Sequence, residues 1–454
     1  MLWKISKRFQ FAADRYIPET LVFSLILTVV VMGMGLFIAS PIEVVTSWYG
    51  GLWNMIAFAF QMSIMVIACG AAAKAPQVDK LLVKVAKLTQ SRVVAVVVLM
   101  LVAVSASIVN WAFALILTAI LSKKLSVHVK GLHFPLLIAL GYSAMLLGQS
   151  WSPTASVYAL LATPGHFLED QIGILTQFET TYNPINTVIF FIILIVTLLI
   201  SIFIKPPLEE VVSYDETKDN DIALKEMQAK ADAVIVKEDR TPADRMNSGR
   251  FLMYFFGAVG IVVIINSFIT KGVIGSLDLN FAIFLFIVLC LFLYNTPESF
   301  MGAFKSSITS ATEIMVMFIF YGGIMGIMAG TGLTKVMADS LLAVATTGTL
   351  PLFTYWSASF INLFVPSQGG QWIIQGPVLI EAAQALKVDI GLIANAFVYG
   401  DEATNLLQPL YAIPALAIVG MKLKDVWGLM AFIWAIWFVV TSLAFVVLPP
   451  LFGY

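Results

Sequence analysis

The stretch Val93–Leu121 runs for 29 residues without a charge, and basic residues close it at both ends. Lys74, Lys80, Lys84, Lys87 and Arg92 precede it, and Lys123, Lys124 and Lys130 follow it. In a bilayer, Lys and Arg beside apolar segments mark the cytoplasmic face, so both ends belong on that side. A straight helix of this length would be about 44 Å long and would separate them. Two limbs of half the length are too short for a hydrocarbon core of about 30 Å. The pattern predicts a re-entrant helical hairpin that enters from the cytoplasm and returns, with Asn110 near its tip.

Composition makes the bilayer the right setting. Hydrophobic residues are 60% of the chain and charged residues 12%, with mean hydropathy +0.93. Soluble domains carry about 25% charge, so a soluble enzyme and a disordered chain are both excluded. Runs such as Ile185–Ile204 lack the alternation that a spanning β-barrel needs. The fold class predicted is therefore all-α and polytopic. A net charge of −1 leaves no basic footprint for nucleic acid. Cys69 and Cys290 lie in apolar runs and read as small core residues. His128, His133 and His166 fall near span ends, which argues against a histidine metal site in the membrane.

About nine further runs read as full spans: Pro18–Ala39, Leu52–Ala73, Phe134–Pro164, Pro184–Ile204, Phe251–Ile269, Leu279–Tyr294, Ala311–Gly332, Asp389–Gly420 and Val426–Leu448. The first follows Lys4, Lys7, Arg8 and Arg15 and reads as a signal anchor. With the hairpin in place, only Lys271, Lys335 and Lys387 of the 26 basic residues fall outside the cytoplasm. The N-terminus is then cytoplasmic and the C-terminus outside. A second stretch, Leu350–Ala385, is predicted as a hairpin entering from the opposite face. Its limbs are Leu350–Val365 and Trp372–Ala385, and its turn is Pro366-Ser367-Gln368-Gly369-Gly370-Gln371. The polar segment 205–250 links residues 1–204 to residues 251–454 and receives no chemistry.

The halves echo each other. Ser105-Ala106-Ser107-Ile108-Val109-Asn110-Trp111 recurs as Ser357-Ala358-Ser359-Phe360-Ile361-Asn362-Leu363, at an offset of 252. Leu137-Ile138-Ala139 and Gly165 recur as Leu392-Ile393-Ala394 and Gly420, at an offset of 255. A hairpin followed by an interrupted helix, repeated with opposite topology, is a signature of secondary transporters.

The chemistry is expected where the irregular segments meet near the midplane. Two are the hairpin tips, Ser105–Trp111 and Asn362–Gln371. The others are helix breaks, Gly148–Ser156 and Gly400–Asn405, with Gln408-Pro409 just beyond. Candidate substrate ligands are Asn110, Trp111, Ser150, Trp151, Ser152, Asn362, Ser367, Gln368, Gly369, Gly370, Gln371 and Asn405. Candidates for ion coupling are Ser107, Asn110, Thr154, Ser359, Asn362, Asp401, Glu402 and Thr404. Hydroxyls and amides beside freed carbonyls suit a hard cation such as Na⁺, and helix N-termini near Trp111 and Trp372 suit an anion. No Lys or Arg lies deep in a span, which favours a monocarboxylate carried together with H⁺ or Na⁺. Each candidate also has a plain structural role. The serines can bond to the preceding helical turn, the asparagines can cap, the prolines can kink, the glycines can permit a turn, and the tryptophans can pack. Asp401 and Glu402 can serve helix ends. A dicarboxylate or other organic-anion carrier and an ion channel are the alternatives. An intramembrane enzyme lacks any H-E-x-x-H, G-x-S-x-G or deep histidine here.

The segments Ile361–Pro377, Gln408–Ala417, Ile108–Trp111 and Leu161–Gly165 resemble the bacterial short-chain fatty acid transporter family of the AtoE type. Gln368 and Gln371 depart from its pattern, where glycine and histidine are more usual. The resemblance implies uptake of butyrate- or acetoacetate-like acids across the bacterial inner membrane. It also implies no cofactor beyond the coupling ion. Through a larger superfamily it implies scaffold and transport domains, an elevator motion and a homodimer.

Overall fold

The computed structural model describes residues 20–54, 56–162, 166, 168–204, 206–214, 241–276, 279–363, 365–366, 368–408 and 411–454. Ser367, Pro409 and most of the polar linker lie outside them. All the regular structure described is helical. The first half holds α1 (Thr20–Gly35), α2 (Pro41–Asn54), α3 (Ile56–Ala73), α4 (Pro76–Leu88), α5 (Arg92–Val109), α6 (Trp111–His128), α7 (Phe134–Ser150), α8 (Ser156–Leu161) and α9 (Pro184–Phe203). The second holds α10 (Phe251–Gly275), α11 (Leu279–Tyr294), α12 (Pro297–Ser307), α13 (Thr309–Gly330), α14 (Leu333–Leu342), α15 (Leu350–Asn362), α16 (Gln368–Leu386), α17 (Ile390–Thr404), α18 (Ile413–Val419) and α19 (Leu423–Leu451). Among the described residues five helices are long and apolar enough to cross a bilayer, α5 and α6 among them.

Local chemistry sets the helix starts. Ser91 accepts from the Val94 N–H to open α5, Asn183 from Ile185 to open α9, and Asp389 from Leu392 to open α17. Asn110 is the whole connection between α5 and α6. Its backbone is extended, and its side chain accepts from the N–H groups of Ala112 and Phe113. The two helices fold back on each other and both pack against α7.

Three sequence expectations need correcting. The limbs of the first helix pair have 18 residues each, about 27 Å, so the half-length argument does not hold. Helix α6 continues past Leu121 because no breaker intervenes before Gly131 and its lysines find partners. Lys124 pairs with Asp79 at 2.7 Å, and Lys123 lies 5.9 Å from the ring centre of Tyr214. A paired reversal still returns the chain to the side it left, whatever its depth.

In the second pair, Gln368, Gly369, Gly370 and Gln371 are helical and do not form the turn. Pro366 makes the break instead. Gly369 lies beside the start of α8, where a Cβ would stand 3.4 Å from the Ser156 Cβ, an ordinary contact distance. Third, Gly400–Thr404 belong to α17, and the break begins at Asn405. Gly400 serves close packing, not interruption.

That packing is duplicated. A Cβ on Gly148 of α7 would stand 2.8 Å from the Ser107 Cβ of α5. A Cβ on Gly400 of α17 would stand 2.5 Å from the Tyr355 carbonyl oxygen and 3.0 Å from the Ser359 nitrogen of α15. Gly148 and Gly400, like Ser107 and Ser359, are 252 residues apart. Elsewhere α2, most of which lies between the predicted runs Pro18–Ala39 and Leu52–Ala73, crosses α13 at a glycine pair. A Cβ on Gly51 would lie 2.6 Å from the Gly326 Cα, the close approach that small residues permit in membrane helices.

Candidate functional site

The start of α6, the end of α7, the starts of α8 and α16, and the end of α17 surround one cavity of about 40 Å³. Its lining mixes two chemistries. Gln149, Ser156, Gln368, Asp401, Glu402 and Asn405 supply polar groups. Trp111, Met145, Leu146 and Tyr411 supply largely apolar surface. Among the described residues, no lysine or arginine lines it. A cavity of this size holds a few waters or an ion with part of a small solute.

Asp401 and Glu402 end α17 and are 1% and 4% exposed. Glu402 Oε1 accepts from Gln368 Nε2 at 3.0 Å, while Gln368 Oε1 accepts the Val157 N–H at 3.2 Å. Gln368 thus ties α16 to both α8 and α17. Asp401 Oδ2 accepts from Asn405 Nδ2 at 3.3 Å, and Asp401 Oδ1 has no protein partner.

Asn362 is fully buried at the end of α15. Its amide nitrogen reaches the Asp401 carbonyl oxygen at 2.7 Å and Thr404 Oγ1 and Asn405 Oδ1 at 2.9 Å. Its own Oδ1 has no protein partner. The Asn405 carbonyl accepts from the Tyr142 hydroxyl at 2.9 Å, which fixes the second break against α7. Thr404 bonds back to the Gly400 carbonyl at 3.0 Å.

The remaining candidates sit farther back. Asn110 is buried but spends its side-chain oxygen on the α6 cap. Ser107 donates to the Met145 carbonyl at 2.7 Å and stitches α5 to α7, while Ser152 donates to the Ile108 carbonyl at 3.0 Å and stitches the first break to α5. Thr154 bonds to Ser152 at 2.8 Å. Ser150 bonds to the preceding turn at the Leu146 carbonyl. Trp151 turns away from the cavity, stacks on Phe190 at 4.9 Å and donates to Thr187. Gln371 donates to the Ala358 carbonyl and to Gln375, which donates to Ser357, so Gln371 locks α16 to α15. Ser359 is buried beside the Tyr355 hydroxyl, and it borders, with Thr404, an apolar groove behind the site. Gly369 and Gly370 are half-buried in the first turn of α16. Ser367 lies outside the described residues.

Sequence reasoning passed over six residues. Gln149 and Ser156 stood inside the first break, and Tyr411 stood beside Gln408-Pro409, so position could have found them. Met145, Leu146 and Tyr142 carry no signal in an apolar run. Among the described residues, no group of three or more His, Cys, Asp or Glu is placed to hold a metal. An oxygen-ligated monovalent ion needs no such group.

Apolar helices that cross a bilayer, broken around a small mixed chamber, define a multi-pass membrane transporter. The chain belongs to the short-chain fatty acid transporter family, whose family model matches residues 1–448. It is 32% identical over 431 residues to a relative from Escherichia coli strain K12, covering 94% of this chain and 96% of the relative. It is 32% identical over 438 residues to one from Haemophilus influenzae, with the same coverage. Both relatives are provisionally named short-chain fatty acid transporters. The fold is shared with the crystal structure of the YdaH transporter of Alcanivorax borkumensis, with TM-score 0.51 and 14% identity over 96% of this chain and 98% of that one. This is a family of transporters, and the chain is not an enzyme.

Proposed function

We propose that the protein takes up short-chain monocarboxylates of the butyrate and acetoacetate class across the bacterial inner membrane, as a symporter with Na⁺ or H⁺. The observation that carries this reading is the adjacent buried pair Asp401 and Glu402 in a chamber where no lysine or arginine is among the described lining residues. A substrate carboxylate entering beside two buried carboxylates faces like charge in a low dielectric. A proton or Na⁺ must enter with it. The unpartnered oxygens Asp401 Oδ1 and Asn362 Oδ1 are suitable acceptors for that cation. The amides of Gln149 and Gln368 and the Ser156 hydroxyl would receive the substrate carboxylate.

The same reading makes the two helix pairs re-entrant. The 13 residues of α15 rise about 20 Å, short of a core of about 30 Å, which favours a tip inside the bilayer for the second pair. The duplicated Gly148–Ser107 and Gly400–Ser359 contacts support an inverted repeat. Helices α5–α8 and α15–α18 then form a transport domain that moves as an elevator against a scaffold in a homodimer. The N-terminus is cytoplasmic and the C-terminus outside.

Uptake of labelled butyrate into proteoliposomes, with Na⁺ and proton gradients imposed separately, tests the proposal. One gradient should drive saturable accumulation, and Glu402→Gln or Asp401→Asn should alter the ion dependence. Absence of saturable uptake under either gradient overturns it.

A further inference from the structure

We infer that the ring pair Trp111–Tyr411 is the gauge that limits substrate chain length, an inference that rests on the carboxylate-uptake reading above. The two rings meet edge to face, with centroids 5.0 Å apart and planes at 80°. Trp111 is the first residue of α6, and Tyr411 stands in the second break just before α18. Both line the chamber that Gln149, Gln368 and the carboxylate pair also line.

A carboxylate head held by the polar groups leaves its alkyl tail to the apolar part of the lining. There Met145 and Leu146 are 1% and 3% exposed and packed into the core. The two half-buried rings are the bulkiest apolar groups that line the chamber. Their position is fixed from behind, since the Asn110 cap sets the start of α6, and α18 packs on α6. An edge-to-face pair fills the space as a rigid stop, unlike an aliphatic side chain that could change rotamer. Each tail carbon beyond the limit would then have to displace a ring.

The test measures competition by the C2 to C8 straight-chain acids against labelled butyrate, in wild type and in Tyr411→Leu and Trp111→Leu. Discrimination by one or two methylenes in an apolar pocket is typically tenfold or more. The variants should therefore shift the hexanoate-to-butyrate preference toward hexanoate by about tenfold. Tyr411→Phe, which keeps the ring, should hold the wild-type ranking. Where a variant carries no flux, thermal stabilisation of the purified protein by the same acids supplies the ranking. An unchanged ranking in both leucine variants, with butyrate uptake by wild type intact, overturns the gauge and leaves the transport reading standing. Failure of wild type to take up any acid overturns the transport reading itself.

Discussion

The two asparagines that end the repeated motif do opposite work. Asn110 turns its oxygen inward and accepts two backbone N–H groups, opening the helix that follows it. Asn362 turns its nitrogen outward, donates across to α17, and leaves its oxygen without a partner. The helix packing around them is alike, with Gly148 against Ser107 and Gly400 against Ser359. On the inverted-repeat reading proposed above, the two halves share their glycine–serine contacts and differ at their tips. The first tip is held by local capping and the second by contacts with the carboxylate helix. Identity at a repeated position therefore does not fix the role of the side chain there.

The glycine contacts offer the harshest way to break this comparison. Gly400→Ala places a Cβ 2.5 Å from a backbone oxygen and should cost about 3 kcal/mol, enough to lower the yield of folded protein. Gly148→Ala should cost about as much, because the nearest atoms again include backbone. Thermal melts of purified protein check both, and a wild-type melt in either would show that the frame is not shared.

The next effect in size belongs to Asn362→Ala. It removes the amide that the Asp401 carbonyl, Thr404 Oγ1 and Asn405 Oδ1 share and leaves a buried polar gap, and should cost about 2 kcal/mol, or roughly thirtyfold in substrate or ion affinity. Binding measured at several Na⁺ concentrations would show it. Gln368→Ala should have a smaller effect, weakening butyrate binding about tenfold while the protein stays folded, because it frees Glu402 and unties α16 from α8. The smallest effect is expected of Asn110→Ala, which removes a cap worth about 1 kcal/mol and lowers the melting temperature with little change in affinity. Asn110→Ser should restore the melt, since serine also caps. A large loss of affinity in Asn110→Ala with an unchanged melt would reverse the roles assigned to the two tips.

The helical membrane class was legible from composition and long uncharged runs, because a bilayer leaves the backbone few alternatives. Helix pairs at both expected places were legible from flanking lysines and from Pro366. Helix ends were not, because Lys123 and Lys124 read as boundaries while their stems extend α6 and their charges pair at its end. Gly400 read as a breaker, yet glycine in a membrane helix as often marks where a neighbour comes close. At the site, polar residues inside apolar runs stood out, which brought Gln368, Asp401, Glu402 and Asn405 into view. Met145 and Leu146 look like any other core residue in a sequence, and only the packing of α7 puts them on the chamber wall. Trp151 showed the converse, since its neighbours in the chain suggested a ligand while its ring belongs to the aromatic stack with Phe190.

The single-residue junction at Asn110 makes the first helix pair a part with no slack. One inserted residue there would rotate all of α6 by about 100° about its axis and shift it by about 1.5 Å. Trp111 would swing out of the chamber and the buried face of α6 would turn toward its neighbours' backbones. Natural variation in length should therefore be purged at this junction.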